Sequence, residues 1–133
     1  MPITVRAVTT ETGTYGHPFV GPVQHTDVVK VDISALTTDE VDEDGYLKPG
    51  VPFLSTGLLV TAGAVYGVTM EPIKIATGNT STILNAATDC FVAVGTHGVV
   101  NRDIIEDNLG RALVSAELTG FTTAPCTIKL TRT

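Results

Sequence analysis

The segment Asp42-Glu43-Asp44-Gly45-Tyr46-Leu47-Lys48-Pro49-Gly50-Val51-Pro52-Phe53 admits two architectures. Its first half has the acidic spacing of a helix-loop-helix calcium loop. Its second half reads as a turn that feeds a buried strand. Glu40, Asp42 and Asp44 stand at alternate positions and Gly45 follows, which approximates D-x-[DN]-x-[DN]-G with Glu for the first Asp. Such a loop needs a bidentate Glu at its twelfth position, where two oxygens close the coordination shell. Val51 stands there instead. Pro49 and Pro52 also oppose a helix leaving the loop, because proline removes a backbone donor and clashes with the preceding turn. The segment therefore reads as a solvated acidic loop joined to a Pro-Gly turn. Pro49 fixes φ and Gly50 permits the positive φ of a type II turn. Val51 and Phe53 then point to one side of a strand, into the core.

The flanks read as strands too. Val29, Val31 and Ile33 alternate with Lys30, Asp32 and Ser34, a period-2 pattern with one buried face. The 133 residues include 22 Thr, 17 Val and 8 Ile. These β-branched side chains are stiff at χ1 and suit a pleated sheet. Residues 77–89, TGNTSTILNAATD, read as a polar loop with a single helical turn. CFVAVGTHGVV, 90–100, reads as two strands around a Gly-Thr-His-Gly turn, and CTIKLTRT as a closing strand. RDIIEDNLGRALVSAELTG carries the helical signal. Ile104, Ile105, Leu109, Ala112, Leu113 and Ala116 fall near one face, and Asp103 sits in the first turn, where the helix dipole favours a carboxylate. Gly110 is expected to weaken or divide this segment and Gly120 to stop it.

The expected fold is mainly β, a β-rich α+β. We expect a small sandwich- or barrel-like domain with one short helical segment. Residues 19–133 form this domain. Residues 1–18, with little apolar surface, form a flexible N-terminal arm able to order on a partner.

Composition narrows function. The net charge is −6 and Lys and Arg do not cluster, so nucleic-acid binding is not expected. Apolar runs are broken by Gly and Thr well short of the ~20 residues that span a bilayer. The first residues lack the basic and apolar regions of a secretory signal, which points to a protein made in a cytoplasm. Cys90 and Cys126 read as small buried thiols outside any C-x-x-C pair, with no four-ligand zinc pattern. His17, His25 and His97 show no i,i+4 pairing, and each reads as an exposed or hydrogen-bonded histidine. G-x-S-x-G and the glycine-rich phosphate loops are missing. No catalytic residue, cofactor or metal is expected, and the chain does not read as an enzyme.

Three features in order resemble a known family: the arm, then VVKVDISAL with its acidic loop and Gly45-Tyr46-Leu47-Lys48-Pro49-Gly50-Val51-Pro52, then a strand entering a helix through Gly98-Val99-Val100-Asn101. The order resembles the lambda-type head decoration proteins of tailed bacteriophages, across most of residues 1–120. The resemblance implies a homotrimer on the outer surface of an expanded capsid, in the virion, with the major capsid protein as partner and no membrane or nucleic acid. It implies that Pro2, Ile3, Thr4, Val5, Arg6, Ala7 and Val8 of the arm add a strand to a capsid-protein sheet. Edge pairing of this kind supplies main-chain hydrogen bonds, and alternate side chains such as Ile3, Val5 and Ala7 set register. Two alternatives stand beside it. One is another virion structural protein, such as a tail- or fibre-associated β domain. The other is a ligand-binding β-barrel or enzyme, which a deep pocket holding two or more of His25, His97, Asp89 and Asp103 would favour.

Overall fold

The computed structural model describes residues 15–75 and 89–132. In chain order the elements are β1 (His25–Asp32), β2 (Tyr46–Leu47), β3 (Pro52–Phe53), β4 (Gly67–Thr69), β5 (Ile73–Lys74), β6 (Asp89–Asn101), α1 (Arg102–Leu109), α2 (Ser115–Thr122) and β7 (Ile128–Thr131). A 3-10 turn, Ile33–Ala35, follows β1. The fold is mainly β, as the composition indicates.

β6 organises the main sheet. Its first part pairs antiparallel with β1 from Asp32↔Asp89 to His25↔His97, with a register shift between His25 and Thr26. On its other side β4 pairs antiparallel through Val68↔Gly95 and Thr69↔Val94, and β3 follows β4. Its last residues, Gly98–Asn101, pair parallel with β7. β2 and β5 form a separate two-stranded sheet.

Alternation along β1 and β6 sends Val29, Val31, Val92 and Val94 inward, where they are buried with Leu47, Val51, Phe53, Val68 and Ile105. Fully burying side chains of this size contributes about 1.5–3 kcal/mol each. The expected turn and strand of the opening segment are in place. Gly50 has φ +99°, and Val51 and Phe53 are 1% and 0% exposed.

Three expectations need correction. CFVAVGTHGVV is not a hairpin; β6 runs unbroken through it for 13 residues. Gly95 is a strand residue where another part of the chain crosses closely. A Cβ there would lie 2.5 Å from the Phe19 ring, so the glycine admits packing rather than a turn. The single helical segment is two helices. α1 ends at Gly110 in the left-handed conformation, which glycine adopts without steric cost. Gly120 does not stop α2, which continues to Thr122. It lets the helix approach Gly63, Val60 and Val65, each 3.0 Å from where a Cβ would stand.

Candidate functional site

Two places concentrate polar side chains. The first is a junction around α1, where the 45–52 and 98–101 segments meet. Asn101 caps the helix, its Oδ1 accepting from the Asp103 and Ile104 amides at 2.8 and 3.3 Å. Capping satisfies amide donors that a helix N-terminus leaves without partners. At the other end Lys48 Nζ donates to the Leu109 carbonyl at 3.3 Å, where the dipole favours a cation. The Pro49–Gly50 turn packs onto Ile105, 3.2 Å from the position of a Gly50 Cβ.

The same junction grips the described start of the chain. Buried Asn108 donates through Nδ2 to the carbonyls of Gly16 at 2.8 Å and Pro49 at 3.2 Å, and its Oδ1 accepts from the Gly16 amide at 3.0 Å. The Asn101 amide donates to the Pro18 carbonyl at 2.8 Å. Tyr15 donates its hydroxyl to Asp42 Oδ2 at 2.6 Å. Burial, then the bond to Asp42, pushes the Tyr15 phenol well above its ordinary pKa. Tyr15 to Pro18, the last residues of the expected arm, are thus fastened to the domain. The arm residues Pro2, Ile3, Thr4, Val5, Arg6, Ala7 and Val8 lie outside the described residues.

The acidic loop is committed internally as well. Asp42 Oδ1 accepts from the amides of Asp44 and Tyr46 at 2.9 and 3.0 Å. Buried Glu40 accepts from the Thr37 amide and hydroxyl through Oε1. Arg111 bridges Asp39, Glu40 and Glu117 at 3.2, 3.7 and 2.8 Å. Glu117 also accepts from the Val114 amide at 3.0 Å, which caps α2. Of the three carboxylates in the calcium-loop spacing, those of Glu40 and Asp42 thus serve turns and an ion pair.

The second place is a cleft of about 490 Å³ whose lining includes His25, Tyr66, Thr96, His97 and Thr127 with apolar Leu54, Val65 and Pro125. His25 and His97 are register partners across β1 and β6. Their rings meet edge to face, with centroids 5.3 Å apart. Thr96 Oγ1 lies 3.0 Å from His97 Nδ1 and 3.3 Å from the His25 carbonyl oxygen, to which it donates. Tyr66 donates its hydroxyl to Asp27. That bond holds the Asp27 carboxyl below its usual pKa and raises the Tyr66 phenol. Two of the four residues that would mark a pocket, His25 and His97, therefore share one cleft. Asp103 instead pairs with Arg132 at 2.8 Å. Among the described residues no group of three or more His, Cys, Asp or Glu could hold a metal ion. Sequence reasoning missed the pairing because His25 and His97 meet only through strand register.

Cys90 is buried and Cys126 half-buried, both as thiols. Among the described residues no helix is long and apolar enough to cross a membrane. No protein-family model, curated protein or solved structure matches the chain.

Proposed function

We propose that this chain is a capsid decoration protein that binds the outside of an expanded phage head as a homotrimer and stabilises it. The residues that precede Tyr15, Pro2 to Val8 among them, add a strand to a sheet of the major capsid protein. The observation that carries this reading is the junction around α1. Gly45–Pro52 and Gly98–Asn101, two of the segments on which the resemblance rests, converge there on Tyr15–Pro18 through Asn108 and the Asn101 amide. A segment that pulls on a partner needs such a fixed base, because force on the arm otherwise passes into loop rearrangement. Half-exposed Val28 and Phe91, on the outer side of β1 and β6, offer apolar surface to a neighbouring subunit or the shell.

The mechanism is linkage. A protein that binds the expanded shell and not its precursor stabilises the expanded form by the free energy of binding. Three arms on one trimer raise the effective concentration of each after the first has bound. The test is to mix purified protein with empty expanded shells and sediment them. Co-sedimentation at a saturable ratio, with trimers in solution or on the shell, is the expected result. Failure to bind expanded shells at any concentration contradicts it. The cleft shared by His25 and His97 favours a second reading, a β domain that binds a small ligand.

A further inference from the structure

We propose that His25 and His97 form a two-imidazole chelate for a borderline-soft transition-metal ion of the copper, nickel or zinc class, clipping edge strand β1 to central strand β6. The proposal goes beyond capsid decoration and does not depend on it.

Proton bookkeeping at Thr96 is the first support. Its hydroxyl has one hydrogen, which it donates to the His25 carbonyl. The same oxygen lies 3.0 Å from His97 Nδ1 and can accept from it, and in that tautomer the lone pair of the neutral ring falls on Nε2. A ligating histidine characteristically donates its second ring N–H to a fixed oxygen, which sets the tautomer and the ring orientation. Thr96 fills that role here.

Ring geometry is the second support. A metal–nitrogen bond to imidazole is about 2.0–2.1 Å, and two imidazoles on a tetrahedral ion then have centroids about 5 Å apart. The observed separation is 5.3 Å, with ring planes at 84°. The pair also lies in a cleft that a hydrated ion can enter, walled on one side by Leu54, Val65 and Pro125. An apolar wall of this kind restricts water and strengthens charge interactions near the ion.

Imidazole nitrogen selects the ion class. Hard cations such as magnesium and calcium prefer oxygen ligands, whereas copper, nickel and zinc accept imidazole. Two protein ligands leave the remaining positions to water. The expected order of affinity is copper over nickel and zinc, with magnesium not bound.

The test uses the full chain without a histidine tag, titrated with nickel chloride and followed by calorimetry and by proton NMR of the histidine rings. One ion per chain is expected. Ring signals of His25 and His97 broaden first, and those of His17 persist. His25→Ala and His97→Ala should each weaken nickel binding by about tenfold or more, and His17→Ala by less than about twofold. Nickel should raise the thermal midpoint of the unmodified chain, because binding to the folded state alone stabilises it. The absence of saturable uptake up to millimolar nickel overturns the proposal. So does uptake that survives in the His25→Ala, His97→Ala double variant, or broadening centred on His17. The ring-broadening readout needs no variant, so a substitution that impairs folding does not shield the proposal.

Discussion

The junction around α1 and the histidine cleft both gather polar groups and use them in opposite ways. At the junction, Asn108, Arg111, Asp42 and Glu117 bond to other parts of the chain. In the cleft, Thr96 Oγ1 lies against one nitrogen of His97, and both His25 and His97 line open space. Density of polar residues is therefore a poor guide to a binding site. A better guide is which atoms remain unspent after caps, turns and ion pairs have been satisfied. By that measure the acidic loop, which resembles a metal site in sequence, is architecture. The threonine-flanked histidine pair, which carries no sequence motif, lines an open cleft instead.

If the junction is structural, breaking it should cost stability. Arg111→Ala has the largest expected effect. It leaves Glu117 and Glu40 buried without their cation, and loss of one partner of a buried pair costs about 3 kcal/mol. Chemical denaturation should show a lower midpoint with an unchanged slope. Asn108→Ala comes next, at about 2 kcal/mol, because the Gly16 and Pro49 backbone groups lose their partner. Hydrogen exchange at Gly16 should accelerate more than at Val92 in the same variant. If Gly16 stays protected, the grip on the start of the described chain is misassigned.

The two tyrosine–carboxylate bonds sharpen the contrast through pH. Tyr15 and Tyr66 both have phenol pKa values raised in the folded protein. A raised pKa means the folded state holds the proton more tightly. The associated stability is fully present below the unfolded value of about 10 and is lost as pH rises above it. Tyr15 is half-buried and its partner Asp42 supports a turn, whereas the Tyr66–Asp27 pair faces solvent. Tyr15→Phe should therefore remove most of the loss in thermal midpoint between pH 9 and 11, and Tyr66→Phe little of it. Equal effects would erase the distinction drawn between the two regions.

The smallest expected effect on stability lies in the cleft. Without added metal, His97→Ala should change unfolding free energy by no more than about 0.5 kcal/mol, as for a surface substitution. A loss of several kcal/mol would mean that His97 is part of the architecture after all.

Much of this fold is legible in the sequence where side-chain chemistry and backbone chemistry agree. Val29 and Val31 alternate and are buried. Pro49 and Gly50 make the turn, and Val51 and Phe53 enter the core behind it. Asp103 stands in the first turn of α1. Glycine was harder to interpret, because it both ends elements and admits close neighbours. Gly95 and Gly98 suggest a hairpin, yet β6 runs straight through them under Phe19. Gly120 suggests a helix stop, yet it lets α2 approach the loop at Gly63. These roles depend on what packs against the glycine, which is tertiary information. The histidine pair was hidden for the same reason, since register across β1 and β6 joins residues far apart in the chain. The grip of Asn108 on Gly16 spans a similar distance and has no local signal.

Removal of residues 2–14 from the full chain tests the decoration reading most directly. The truncated and intact proteins are each mixed with empty expanded shells and sedimented, with thermal midpoints measured in parallel. The account predicts an unchanged thermal midpoint, since the Tyr15–Pro18 anchor is retained, together with loss of shell binding. Truncated protein that decorates expanded shells with undiminished affinity would contradict it.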